Sequence, residues 1–146
     1  PPLHATWDAP VRLLVAPQSR ETAHSLPTHK TTLRAGYDAA WQAAERAGAF
    51  DAAFFNADGT LAEGGRSTVL VKLDGAWWTP PLSAGVLPGV MREVLLEDAT
   101  PWLGAPLRER VLTRTDVARA EAVAVCNALR GVLPAHFEPP LAAHVL

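Results

Sequence analysis

Apolar and polar residues along the chain predict a mixture of strands and helices. A short, branched apolar run over 11–16 predicts a first strand, and the polar, proline-containing segment 17–27 predicts a connection. Apolar residues then recur at helical spacing. We therefore expect a helix over about 31–47 that ends at Gly48, since glycine is common just past a helix C-terminus.

Strand and turn signals dominate the middle of the chain. One predicted hairpin covers 51–65 with its turn at 57–59. A second covers 67–82, where Asp74 and Gly75 form a two-residue turn signal between alternating apolar positions. These two hairpins predict a sheet as the centre of the fold.

The segment 83–99 combines a Gly/Pro loop with a predicted helix. Val90, Val94 and Leu95, with Asp98 as a further candidate, set the helical period of this segment.

The last third of the chain again alternates strands and helices. A strand with a wet face is expected over 107–113, and a short helix over 114–120 with Thr115 as a candidate N-cap. Within 121–137 we expect a buried strand, a break at Asn127, and a further extended piece that ends near Pro134. The whole pattern predicts an α/β or α+β fold.

Composition and charge exclude several classes of protein. The chain has 146 residues, which suits a single domain over 1–146. Its net charge of -2 gives no sign of a nucleic-acid surface, and no apolar run approaches a membrane span. The first ten residues lack the pattern of a signal peptide, and the single cysteine, Cys126, excludes internal disulfides. A cytoplasmic protein that binds neither nucleic acid nor membrane is expected.

Lys30 stands at the predicted start of the 31–47 helix, which is an unfavourable position for its charge. The N-terminal end of a helix carries partial positive charge, so an ammonium group there is destabilised. A lysine amine is a nucleophile only when it is neutral, and nearby positive potential favours the neutral form. Lys30 is therefore either a solvated surface lysine or an amine that reacts with a carbonyl, such as that of pyridoxal phosphate (PLP).

Two features downstream match the other needs of a PLP site. Such a site places a carboxylate against the pyridine nitrogen and a set of backbone N–H groups around the phosphate. Glu63 precedes two glycines, which would let the backbone approach a flat ligand closely, and the loop 86–89 opens a helix. Alternatively, Glu63 is a solvated turn residue and the loop is an ordinary helix start.

The sequence resembles the class IV, or fold-type IV, family of PLP enzymes. The segment 63–92, EGGRSTVLVKLDGAWWTPPLSAGVLPGVMR, carries the family's order of acid, strand, TPPLSAG and LPGVMR. The segments 29–40 and 125–131 also fit and look most like the 4-amino-4-deoxychorismate lyases. The resemblance covers about 11–137. It implies an α/β fold, the large domain of the D-amino-acid aminotransferase-like enzymes, with a curved, barrel-like sheet and flanking helices.

The resemblance implies a role for each matching residue. Lys30 corresponds to the lysine that bonds the cofactor covalently and moves the substrate's Cα proton. Glu63 corresponds to the carboxylate that pairs with the pyridine nitrogen, and Leu87 to the residue that packs against the ring. Where the family often has asparagine five residues after the glutamate, this chain has Thr68, which keeps a hydrogen-bond donor.

Two further segments are expected to surround the phosphate. Gly89, Val90 and Met91 correspond to the helix start whose amides hold it. Asn127 and Ala128 correspond to a turn that faces the phosphate and the substrate carboxylate. The resemblance also implies that the chain is the large domain alone, without the family's small N-terminal domain.

The implied function is a PLP-dependent 4-amino-4-deoxychorismate lyase, which releases 4-aminobenzoate and pyruvate in folate synthesis. A class IV aminotransferase of the branched-chain or D-amino-acid type would use the same residues. A third possibility is a truncated, inactive domain with an assembly role. The resemblance further implies an amino-acid-like small-molecule substrate and a homodimer, and no residues have the spacing of metal ligands.

Several other residues have an open role on sequence grounds. Arg66 and Arg130 flank the two predicted cofactor turns, and either could bind an acidic substrate or be structural. Arg34, one turn after Lys30, either faces the site or is solvated. His29 either tunes the lysine or is a structural neighbour.

Overall fold

The computed structural model of the protein describes residues 10–17 and 30–141, and within the first helix it describes side chains from Arg34 onward. The strands are β1 (Val11–Val15), β2 (Asp51–Phe55), β3 (Leu61–Gly64), β4 (Thr68–Leu73), β5 (Ala76–Thr79), β6 (Leu107–Glu109), β7 (Ala122–Asn127) and β8 (Gly131–Phe137). The helices are α1 (Lys30–Arg46), α2 (Val90–Glu97), α3 (Thr100–Leu103) and α4 (Arg114–Ala118), with a 3₁₀ turn at Leu82–Ala84. Of the predicted features, 18–27, His29 and the side chain of Lys30 lie outside the described residues.

The eight strands form one mixed sheet in the order β3-β2-β1-β8-β7-β4-β5-β6. Its two ends meet: the Leu61 amide on β3 donates to the carbonyl of Leu112, just after β6, at 2.8 Å. Thr60 and Thr113 form a further antiparallel bridge beside this bond. Curling in this way covers strand edges that would otherwise expose unpaired backbone groups. The predicted α/β class with a curved, barrel-like sheet and flanking helices is confirmed.

Alternating side chains divide the core between the two faces of the sheet. On β4, Val69 and Val71 belong to a cluster inside the curl, whereas Leu70 belongs to a second cluster with Leu95 of α2. The period of two along a strand produces this division. A third cluster joins Tyr37 and Ala44 of α1 to β2. Helices α1 and α2 are therefore fixed on the outer face, with Lys30 at the N-terminal end of α1 and Gly89 at that of α2.

Helix α2 buries only some of the residues that set its predicted period. Val90 and Val94 are 72% and 39% exposed, whereas Leu95 and Arg92 are 0% and 1% exposed. Arg92 donates from Nη2 to the carbonyl of Pro80 at 3.0 Å and also contacts Glu109. A buried charge is tolerated when it is paired in this way. Arg92 thus fixes the rotation of α2, and of the residues that set the predicted period only Leu95 is buried.

The remaining differences concern the ends of short elements. The N-cap of α4 is Thr113, not Thr115, because Thr113 and Asp116 form a reciprocal capping box. Strand β6 ends at Glu109, since the chain then leaves β5 to bond to β3. Strand β8 extends past Pro134 to Phe137, because pairing with β1 begins only after the proline, at Ala135.

Cys126 is buried on β7, and the ionisation of its thiol should make the stability of the fold depend on pH. Burial raises the pKa of its thiol from 9.0 to about 12. The unfolded chain therefore loses this proton at a lower pH than the folded chain, so stability falls as pH rises between those values. We expect the free energy of unfolding to fall by about 1.4 kcal/mol per pH unit more steeply than in Cys126→Ala over this window. Urea titrations at pH 9 to 11 measure the difference, and parallel curves would contradict it.

Candidate active site

Glu63 lies at the centre of the candidate site. It is 5% exposed, on β3. Its Oε1 accepts a hydrogen bond from the Leu87 amide at 3.1 Å, and its Oε2 accepts one from the Tyr37 hydroxyl at 3.1 Å. Glu63 is therefore a held carboxylate rather than a solvated turn residue, and it joins α1 to the loop before α2.

The N-terminus of α2 begins three residues after Leu87. Gly89 is the N-cap, with extended φ and ψ of -62° and 149°, and no side chain caps the helix. The first amides of a helix have no partner within the helix, so they form a natural anion site. Leu87, Gly89 and Val90 are all exposed, which leaves this end open to a ligand.

Thr68 and Asn127 connect the same region to the sheet. A Cβ on Gly89 would lie 3.9 Å from Thr68 Oγ1, so the start of α2 passes directly over β4. Thr68 pairs with Cys126 of β7. Next to it, Asn127 donates from Nδ2 to the Arg66 carbonyl at 3.1 Å and accepts the Arg130 amide at 2.7 Å. These contacts make the predicted site residues of β3, β4, α2 and β7 neighbours.

Helix α1 begins at Lys30, one residue before the predicted start. Position 30 lies seven residues, or about two turns, before Tyr37. Since Tyr37 bonds Glu63, the helix that carries Lys30 is tied to the centre of the candidate site. Arg34, between them, is exposed.

The structure gives a different reason for the two glycines after Glu63 from the predicted approach of a flat ligand. A Cβ on Gly64 would lie 2.2 Å from Asp51 Oδ2, and one on Gly65 would lie 2.7 Å from the Tyr37 carbonyl oxygen. The space that a side chain would need is thus filled by the protein itself rather than kept for a flat ligand. Asp51 and Tyr37 were missed on sequence grounds, although an acid opening an otherwise apolar strand was a usable signal for Asp51.

The arginines that flank the predicted turns contact an aromatic surface. Arg66 donates from Nη2 to the Phe50 carbonyl at 2.6 Å, and its guanidinium lies over the rings of Phe50 and Trp41 at 4.4 and 4.7 Å. Arg130 lies over the same Phe50 ring at 5.7 Å. The Arg66 side chain is therefore engaged within the protein, which favours its structural interpretation.

Residues 1–136 match the family model described as amino-transferase class IV. The chain belongs to this family. Class IV aminotransferases are PLP-dependent enzymes, and the predicted family and cofactor class are thereby confirmed. A curated relative, the branched-chain-amino-acid aminotransferase of Salmonella typhimurium, is 25% identical over 134 residues. That match covers 87% of this chain and 41% of the relative, so this class IV chain spans less than half the relative's length.

Solved structures of the family share the fold. The branched-chain amino acid aminotransferase of Thermobaculum terrenum in its PLP form superposes with a TM-score of 0.76 and 24% identity, covering 94% of this chain and 46% of that one. A candidate 4-amino-4-deoxychorismate lyase of Legionella pneumophila superposes with a TM-score of 0.75 and 22% identity, covering 97% and 53%. At these identities the likeness shows the fold of this class IV chain.

The residues present fit PLP. The buried Glu63 carboxylate can accept a hydrogen bond from a protonated ring nitrogen, and the amides at the uncapped start of α2 can donate hydrogen bonds to a phosphate. The described residues include no group of His, Cys, Asp and Glu that could hold a metal ion. Among the helices described, none has both the length and the apolar character needed to cross a bilayer.

Proposed function

We propose that this chain is the cofactor-binding part of a PLP enzyme. In this proposal Lys30 bonds PLP covalently, Glu63 pairs with the pyridine nitrogen, and the start of α2 binds the phosphate. The observation that carries the proposal is the Leu87 amide on Glu63, because it holds a buried carboxylate next to an open helix N-terminus.

Further residues would complete the site. Leu87, 52% exposed, would pack against the ring. Val90 and Met91 would contribute phosphate amides. Thr68 would donate a hydrogen bond, and Asn127 and Ala128 would face the phosphate and the substrate carboxylate.

The chemistry follows from these roles. When bound, PLP supplies an electron sink for the charge left at a substrate carbon that has lost its proton. Lys30 would remove that proton with its neutral amine, which the positive end of α1 favours. Glu63 would keep the ring nitrogen protonated, since a carboxylate stabilises a positive partner.

For the reaction, we propose 4-amino-4-deoxychorismate lyase activity as the first candidate. The segments 29–40 and 125–131 support it through their resemblance to that branch of the family. In this reaction Lys30 would take the proton from the amine-bearing carbon, the C–O bond to the enolpyruvyl group would break, and 4-aminobenzoate and pyruvate would be the products.

Transamination is the second candidate, because the curated relatives that match are branched-chain-amino-acid aminotransferases. Lys30 would then return the proton to the cofactor rather than assist an elimination. The same residues would serve both reactions, so the geometry favours neither.

Parallel assays separate the two reactions. The PLP-loaded chain is incubated with 4-amino-4-deoxychorismate and, separately, with a branched-chain amino acid plus a keto acid. Release of 4-aminobenzoate without amino transfer supports the lyase, and the reverse result supports the aminotransferase. Binding of PLP without either product would favour the third possibility, an inactive domain.

We also propose that the chain forms a homodimer. Apart from Leu87, the loop and helix α2 expose the large apolar side chains of Leu82, Val90 and Val94. Exposed apolar patches of this kind mark contact surfaces. Sedimentation of the purified chain tests this, and a monomer at all concentrations would contradict it.

A further inference from the structure

Asp51, at the start of β2, has no role in the family resemblance, yet its carboxylate is 0% exposed. Oδ1 accepts hydrogen bonds from the amides of Ala52 and Gly65, at 2.8 and 3.1 Å. Oδ2 accepts from the Arg66 amide at 3.0 Å and from the Ser67 hydroxyl at 2.6 Å. All four partners donate, and an ionised carboxylate offers about four acceptor sites, so each site is used.

Three of these four donors belong to the turn that joins β3 to β4. The turn, residues 65–67, begins two residues after Glu63 and ends just before Thr68. In between, the Arg66 carbonyl accepts the hydrogen bond from Asn127 Nδ2. One buried carboxylate therefore contacts the segment that links three elements of the candidate site.

Close packing makes this arrangement specific. The position of a Cβ on Gly64 is already occupied by Asp51 Oδ2, at 2.2 Å. The acid and the glycine are thus complementary, and the carboxylate explains why a glycine stands at position 64. A longer side chain at 64 would displace either Asp51 or the turn.

We propose that Asp51 is a positioning residue for the candidate active site. Its carboxylate fixes the turn between β3 and β4, and that turn sets the relative positions of Glu63, Thr68 and Asn127. Asp51 acts through these residues and does not itself contact a ligand. The proposal rests on the proposed function in one respect: PLP is taken as the ligand whose affinity falls when the turn is displaced.

The test compares Asp51→Asn with a control variant that also removes a hydrogen bond between a side chain and a backbone amide. In Asp51→Asn an amide N–H group replaces one carboxylate oxygen and opposes a donor, so the turn must shift. Thr113→Ala serves as the control because it removes the side-chain N-cap of α4 and leaves the backbone bridge between Thr113 and Thr60 in place. Far-UV circular dichroism and thermal unfolding check that both variants keep the fold and have similar stability.

Two readouts separate positioning from general destabilisation. The first is the Kd for PLP, which we expect to rise roughly tenfold in Asp51→Asn and to stay within about twofold of the unmodified chain in Thr113→Ala. The second needs no PLP: hydrogen exchange of the Leu87 amide, which bonds Glu63 and not Asp51. Its exchange should accelerate in Asp51→Asn relative to Thr113→Ala, because a displaced Glu63 no longer protects it.

The outcomes are distinguishable. Unchanged Kd and unchanged Leu87 exchange in Asp51→Asn, relative to the control, would overturn the positioning role. If the unmodified chain binds no PLP, the proposed function fails while the Leu87 exchange still decides the role of Asp51. If Asp51→Asn does not fold, Ser67→Ala removes one of the four donors and should accelerate the same exchange to a smaller extent; no change there would overturn the proposal.

Discussion

The Lys30→Ala variant should show no covalent attachment of PLP. Without the Lys30 amine, the visible absorption that arises when PLP bonds a lysine should be absent at every PLP concentration up to saturation of the unmodified chain. The measurement is an absorption titration followed by borohydride treatment, which bleaches such a band. The expected loss is complete, because alanine offers no nucleophile at this position.

Lys72→Ala is the matched control, since Lys72 is the chain's other lysine and lies on β4. It pairs with Trp77 of β5 and is not among the residues proposed to contact PLP. The control should keep the full band. A band that survives in Lys30→Ala and disappears in Lys72→Ala would show that the lysine assignment is wrong.

Glu63→Gln should weaken PLP binding strongly while leaving the fold intact. Glutamine keeps the shape of the side chain but loses the negative charge that stabilises a protonated ring nitrogen. A hydrogen bond to a charged group contributes about 1.5–3 kcal/mol, so the Kd for PLP should rise between roughly 10-fold and 150-fold. Fluorescence or absorption titration with PLP measures this change.

Glu121→Gln is the control for this variant. Its carboxylate also accepts a backbone amide, that of Gly75 at 2.7 Å, but it is exposed at the β4–β5 turn. The Kd of the Glu121→Gln variant for PLP should match that of the unmodified chain. Equal affinity in Glu63→Gln and Glu121→Gln would remove Glu63 from the cofactor site.

The sheet could be predicted from the sequence because its signals are local. The Asp74-Gly75 turn has the positive φ values, 52° and 80°, that a two-residue hairpin turn requires. Helix α1 was predicted to within a residue at each end, and Gly48 follows it with a φ of 86°. Such features depend on neighbouring residues, so periodicity and turn chemistry suffice to find them.

The orientation of α2 could not be predicted, because it depends on partners far along the chain. Periodicity located the helix through Val90, Val94 and Leu95, but burial of Arg92 against Pro80 and Glu109 leaves Val90 and Val94 exposed. A charged residue is rarely buried, so hydropathy alone places it outside. Tertiary pairing overrides the local pattern here.

The candidate site also has residues that could be found from the sequence and residues that could not. Glu63 and the start of α2 were found from motif chemistry, and the structure brings them within a hydrogen bond of each other through Leu87. Asp51 and Tyr37 were missed because each acts on residues 14 to 26 positions away, as the bonds to Gly65, Ser67 and Glu63 show. Sequence spacing gives no signal for contacts of this range.

The most direct test of the account is to locate the attached cofactor. The unmodified chain is incubated with PLP, reduced with borohydride, digested and analysed by mass spectrometry. The account predicts one phosphopyridoxyl group per chain on the peptide that contains Lys30. No label, or a label on Lys72 in place of Lys30, would contradict it.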